Sequence, residues 1–240
     1  MTRRPARFVR FVKELLGQEI VVVVPLLLAV FACLCFIAIA DEVTERDTQK
    51  IDEWVLTSLR QGPDLARPIG PALVTEAARG ISALGSTVVL LLVTLSVVGF
   101  LFLSNKRHAM WLTVFATLGG ALLTALLKAY FGRPRPAIVP HLEQVSSLSF
   151  PSGHSVLAAT VYLTLGALLA REVSPLRMRL YVLSVAVVLT ALIGISRVFL
   201  GVHYPTDVLA GWTAGLAWSL TCWLVALFLQ RRGAIEGNVG

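Results

Sequence analysis

Apolar residues gather into six long runs separated by short polar stretches, at approximately 20–40, 84–104, 109–130, 154–170, 180–197 and 206–229. A helix crosses the roughly 30 Å hydrocarbon layer with about 17 to 25 apolar residues. The pattern therefore predicts an all-α, polytopic membrane protein with six transmembrane helices, forming one domain over 1–240. The run Ile20–Ala40 exceeds the roughly 7–15 residues of a signal-peptide core and reads as a retained first span behind a cytoplasmic segment at 1–19. Only 41–83 is a long polar stretch. Helical apolar spacing at Ile51, Trp54, Val55 and Leu59 and breakers at Gly62-Pro63, Pro68 and Gly70-Pro71 predict short amphipathic helices there, in an outer loop.

Charge gives the chain an orientation. Charged residues make up 15% of the sequence, against about 25% in soluble domains, and the net charge is +7. The basic residues form short clusters between apolar runs, with no basic face and no interleaved aromatics, which excludes nucleic-acid binding. With the N-terminus inside, Arg3, Arg4, Arg7, Arg10 and Lys13, then Lys106-Arg107, Arg171, Arg177, Arg179, Arg231 and Arg232 place twelve cations in cytoplasmic segments and seven outside. The expected location is the inner (plasma) membrane. Cys33 and Cys35 point in different directions on one helix and Cys222 lies in another, so all three read as small apolar side chains.

The cations left at the outer ends of spans need a use, because charge beside a span costs ~2.5–3.5 kcal/mol. Lys128 ends the third run, and Arg133 and Arg135 follow in Gly132-Arg133-Pro134-Arg135-Pro136. Phe150-Pro151-Ser152-Gly153-His154 opens the fourth, Arg197 closes the fifth, and His203 and Asp207 open the sixth. Alternation of the spans brings all of them to one face. Lys128, Arg135 and Arg197 can neutralise a phosphoryl group, and an arginine fork matches phosphate oxygens. Ser152, Gly153 and His154 stand at a helix start, where free N–H groups favour an anion. Two histidines supply a nucleophile and a proton donor, and Asp207, four residues after His203, can fix an imidazole tautomer. No zinc-like or magnesium-like ligand spacing is present, so neither metal nor other cofactor is expected.

Lys128 to Arg135-Pro136 reads K-x6-R-P, residues 151–154 read P-S-G-H, and Ser196 to Asp207 reads S-R-x5-H-x3-D. Together these blocks over 128–207 resemble the type 2 phosphatidic acid phosphatase superfamily, which includes soluble acid phosphatases and vanadium haloperoxidases. The six-span layout with its acidic loop resembles the membrane-bound bacterial branch. The resemblance implies that His203 attacks phosphorus with Asp207 behind it, and that His154 protonates the leaving group and then activates water. It also implies that Lys128, Arg135, Arg197, Ser152 and Gly153 hold the phosphoryl oxygens without a metal. The expected substrate is a lipid phosphomonoester or pyrophosphate: phosphatidic acid, phosphatidylglycerophosphate, diacylglycerol pyrophosphate or undecaprenyl pyrophosphate. A phosphotransferase passing phosphate to a lipid or sugar would use the same groups. A lipid transporter would place its charges nearer the midplane.

Other polar residues have plainer readings. Arg133 is an interfacial anchor or a head-group contact, and His141 and Glu143 lie in the outer loop near the site. His108 belongs to a cytoplasmic loop. Tyr130, Tyr204 and Trp212 suit an aromatic belt, with Tyr204 also placed to line the site. Gly211 and Gly215 form a small-xxx-small pair for helix packing, and Ser196 is a structural hydrogen-bonder rather than a nucleophile.

Overall fold

The computed structural model describes residues 4–145, 147–231 and Gly233, with side chains from Ile20 onward apart from Arg231. Arg3 and Arg232 lie outside the described residues, as do the side chains of Arg4, Arg7, Arg10, Lys13 and Arg231, so the largest basic cluster is known from sequence alone. The elements are α1 (Arg4–Glu45), α2 (Gln49–Ser58), β1 (Arg60–Gln61), β2 (Asp64–Pro68), α3 (Ala72–Ala83), α4 (Thr87–Leu103), α5 (Arg107–Phe131), α6 (Gly153–Glu172), α7 (Leu176–Phe199) and α8 (Pro205–Arg231).

Among the described residues, five helices are long and apolar enough to cross a membrane: α1 from Ile20, α5, α6, α7 and α8. The sixth span is a composite. α3 and α4 meet at a 46° bend, and only together do they pass as one crossing. Ser86 caps α4 by accepting the Val89 N–H at 3.3 Å, which starts a new helix after the break. The outer loop holds the amphipathic helices expected of it, but also a small antiparallel hairpin, β1–β2, that the apolar pattern did not announce. A two-residue strand is too short to show alternation.

α6 sits at the centre, packed against α5, α7 and α8, while α1 lies along α8 and α3 against α7. Small residues permit the close approach of α6 and α8. A Cβ on Gly211 would stand 2.6 Å from Ser155 Cβ, and one on Gly215 would stand 2.5 Å from the Val156 carbonyl oxygen. With no side chain at those positions the two backbones touch, as the spacing predicts. Trp212 departs from expectation. Instead of joining an aromatic belt it is half-buried, its ring against Gly194 of α7 and its Nε1–H on the Thr190 carbonyl at 3.1 Å. Tyr130 is 82% exposed at the end of α5, as a belt residue should be.

Candidate active site

Helix ends deliver the charged residues to one place. α5 stops when Gly132 takes a left-handed φ of +59° and donates its N–H to the Lys128 carbonyl at 3.0 Å, which leaves Lys128 in the last turn. The following strap, 132–152, carries Arg133 and Arg135. α7 ends with Arg197 in its last turn, and Gly201, at φ +73°, reverses the chain toward His203. A Cβ there would stand 2.6 Å from Arg60 Nη2, so conformation and space both call for glycine.

Lys128, Arg135, Gly153, His154, Arg197 and His203 line one cavity of about 360 Å³ between α5, α6, α7 and the break before α4. A larger open hollow of about 770 Å³ lies over 141–145, but it lacks converging cations. Asp207 stands directly behind His203. Ser152 is the exception among the predicted residues. It is fully buried, its hydroxyl accepts from Ser155 at 3.0 Å, and the cavity wall is formed by its neighbours Gly153 and His154. What Ser152 supplies is the start of α6, with its own N–H on the Asp207 carbonyl at 2.9 Å, tying the heads of α6 and α8 together.

The hydrogen bonds around His203 fix its tautomer. Arg135 Nη1 lies 3.2 Å from Nε2, and a guanidinium can only donate, so Nε2 carries the lone pair. Nδ1 then carries the proton, 3.3 Å from Asp207 Oδ2. Burial pushes the imidazole down to about 4, with Asp207 pulling the other way, so the ring is neutral at pH 7. Nε2 of the neutral ring therefore accepts from Arg135, in a cavity that Lys128 and Arg197 also line. Asp207 is held in turn. Its Oδ2 accepts the Ser149 hydroxyl at 2.5 Å and the Tyr204 N–H at 2.9 Å, the second of these a helix-capping bond back to the residue before α8.

The strap supplies an acceptor to each of the three cations. Arg197 Nη1 donates to Glu143 Oε2 and to Ser82 Oγ, both at 2.5 Å. Arg135 donates to the Ser147 carbonyl at 2.6 Å and its hydroxyl at 3.0 Å, and Lys128 donates to the Leu148 carbonyl. Burial, reinforced by Arg197, lowers Arg135 to about 10, which still leaves it charged at neutral pH. Arg197 is 1% exposed, so its charge acts with little solvent between it and a phosphate.

Four contributors were not singled out for these places by sequence: Asp52, Ser149, Glu143 and, in its real role, Arg133. Arg133 is neither anchor nor head-group contact. Its Nη2 pairs with Asp52 at 2.8 Å, its Nη1 pairs with Asp207 at 2.7 Å, and its guanidinium lies 4.2 Å above the Tyr204 ring. Tyr204 is thereby turned away from both belt and cavity. His141 bonds the Pro136 carbonyl at 2.7 Å and shapes the strap. Ser196 donates to the Ile193 carbonyl at 2.7 Å, as a structural hydrogen-bonder does. Asp52 had one legible signal, a carboxylate on the same helical face as Leu56, four residues on.

The family model for the PAP2 superfamily matches residues 109–231, which contain the whole cavity apart from the α3–α4 break. The chain belongs to the PAP2 superfamily. Among PAP2 relatives, the phosphatidylglycerophosphatase B of Bacillus subtilis is 38% identical over 146 residues, covering 60% of this chain and 70% of that protein. The decaprenylphosphoryl-5-phosphoribose phosphatase of Mycobacterium tuberculosis is 33% identical over 145 residues, covering 58% and 72%. The crystal structure of a transmembrane PAP2-type phosphatidylglycerolphosphate phosphatase from Bacillus subtilis superposes with a TM-score of 0.75 at 29% identity, covering 88% of this chain and 98% of that one. This PAP2 chain is a multi-pass membrane enzyme that hydrolyses a lipid phosphate.

Proposed function

We propose that hydrolysis runs through a phosphohistidine on His203, at the outer face of the inner membrane. His203 Nε2 attacks phosphorus and the P–O bond to the lipid breaks. His154 gives its proton to the departing oxygen, then takes one from water, whose oxygen displaces Nε2 and releases phosphate. Lys128, Arg135, Arg197 and the N–H groups at Gly153 hold the phosphoryl oxygens, with Ser152 acting as the residue that starts α6. Asp207 keeps the proton on Nδ1. The observation that carries this reading is the Arg135–His203–Asp207 line: it keeps the proton on Nδ1 and leaves on Nε2 a lone pair that now accepts from Arg135, a cavity-lining cation whose bond an arriving phosphoryl group would replace.

The substrate fits the relatives' names, which include phosphatidylglycerophosphatase and undecaprenyl-diphosphatase. We read the substrate as an anionic lipid phosphomonoester or a polyprenyl pyrophosphate. A water acceptor is favoured over a sugar or lipid acceptor because all three relatives named so far are phosphatases.

Rapid quench with labelled substrate, in the presence of EDTA, tests the scheme. Wild-type enzyme should give an acid-labile, base-stable adduct without any added metal, and His203→Ala should give none. His154→Ala should accumulate adduct from an aryl phosphate, since a good leaving group needs no acid while the second step lacks its base. Label found on His154, or activity that returns only with a divalent ion, defeats the scheme.

A further inference from the structure

The first outer loop reaches the catalytic carboxylate through one buried ion pair. α2 carries Asp52, fully buried, to the N-terminus of α8. Its Oδ1 accepts the Thr206 N–H at 3.1 Å, and its Oδ2 accepts the Thr206 hydroxyl at 2.6 Å and Arg133 Nη2 at 2.8 Å. The other prong of Arg133, Nη1, reaches Asp207 Oδ1 at 2.7 Å. Gln49 closes the arrangement, accepting from Arg133 at 3.2 Å and donating to the Tyr204 hydroxyl at 3.3 Å. One guanidinium thus bridges two carboxylates, and neither Asp52 nor Arg133 lines the cavity.

A buried carboxylate is costly unless compensated, and here a helix N-terminus and a guanidinium both compensate it. Fastening α2 does not by itself require a charge, because Leu56 already packs with Val139, Val198, Tyr204 and Val208. What the ion pair adds is a division of labour between the oxygens of Asp207. Oδ1 is taken by Arg133, so the carboxylate cannot rotate, and Oδ2 is left for Tyr204 N, Ser149 and His203 Nδ1.

We propose that Asp52 and Arg133 are positioning residues for attack by His203: Arg133 fixes the Asp207 carboxylate, and Asp52 balances the arginine so that Asp207 keeps its negative charge toward the imidazole. The proposal rests on the reading of His203 as nucleophile. The groups that face His203 are Asp207 from α8, Arg135 and Ser149 from the strap, and Arg197 from α7. His154 of α6 and Lys128 of α5 share the cavity. All are unchanged in the variants below, so a shift between variants reports the ion pair.

The readout is the acid limb of kcat/KM against pH, which follows protonation of the free nucleophile. Arg133→Gln removes a positive charge from beside Asp207, so the imidazolium becomes easier to form. The limb should move to higher pH by roughly half a unit to one unit. Asp52→Asn removes a negative charge, leaves Arg133 unbalanced, and should move the limb to lower pH. The double variant should return toward wild type. Each single variant should lower kcat on the order of tenfold to a hundredfold with KM nearly constant, because neither residue touches phosphate. Arg133→Lys keeps the charge but not the fork, so its limb should stay put while kcat recovers only in part.

Thermal unfolding in detergent accompanies each assay. If Arg133→Gln does not fold, Asp52→Asn and Arg133→Lys decide the matter. For Arg133→Gln and Asp52→Asn, limbs that stay fixed, shift in the same direction, or shift alongside a large rise in KM overturn the proposal, as does a shifted limb in Arg133→Lys. So does failure of both Asp52→Asn and Arg133→Lys to fold, which would make the ion pair a structural staple. A wild-type quench without phosphohistidine is the failure of the underlying reading. A normal wild-type adduct with unshifted limbs is the failure of this one.

Discussion

Glu143 shows how a single side chain occupies the site before substrate does. Its carboxylate sits on Arg197, the most buried of the three cations, so a phosphoryl group held there as proposed would have to compete with it for that guanidinium. Glu143→Gln keeps a hydrogen-bond acceptor but removes the competing charge, so vanadate should inhibit more tightly, by roughly three- to tenfold. Competitive inhibition constants measured in detergent check this, and an unchanged constant shows that the phosphate leaves the Glu143–Arg197 pair in place. Sequence could place Glu143 near the site but could not pair it. Arg197 and Glu143 lie 54 positions apart, Arg133 and Asp52 lie 81 apart, and no local rule joins residues at that distance. The motif residues were legible for the opposite reason. Lys128, His154, Arg197 and His203 each stand at or beside a helix end, and hydropathy locates helix ends.

Among the elements, α6 and α8 set the relation between the two histidines. His154 stands in the first turn of α6 and His203 just before α8, and the helices meet through Gly211 and Gly215. Two substitutions of the same kind should therefore act with opposite signs. Gly99→Ala, where nothing lies within 4 Å, should stabilise α4 by about 0.5–1 kcal/mol. Gly215→Ala places a Cβ 2.5 Å from a backbone oxygen, and should destabilise by about 1–3 kcal/mol while lowering kcat. Thermal unfolding and turnover of the two variants side by side test the difference; equal effects would show that the α6–α8 contact relaxes without disturbing the site. The pairing of these glycines was readable from their spacing. The bend between α3 and α4 was not, because the apolar run read at 84–104 begins where α3 ends and carries no information about the angle at which the two helices meet. Nor was the orientation of α2. Its exposed side carries Ile51 and Trp54, at 63% and 68%, while its protein-facing side carries Asp52 and Leu56. The apolar stripe that announced the helix is split: Val55 and Leu59 pack on the protein beside Leu56, while Ile51 and Trp54 face away from it, where they suit the membrane interface.

At the scale of the whole molecule, the remaining question is which side of the membrane the cavity serves. Twelve Lys and Arg in the segments on the N-terminal side, against seven on the other, predict both termini inside and the strap outside. In a background with Cys33, Cys35 and Cys222 replaced, Gln144→Cys should react with an impermeant thiol reagent applied to intact cells, and Ser174→Cys should react only after lysis. The reverse pattern turns the molecule over. The backbone-to-backbone contact of α6 and α8 also bears on bilayers of unequal thickness. Hydrophobic mismatch costs fractions of a kcal/mol per Å and is relieved by tilting. Two helices joined without intervening side chains lean together, so a thicker or thinner membrane changes the inclination of the pair and not the gap between their heads. The lipid-facing side chains are left to absorb the difference, so turnover should change little between bilayers of different acyl-chain length, and a steep dependence in reconstituted vesicles would show that the pair does not move as one.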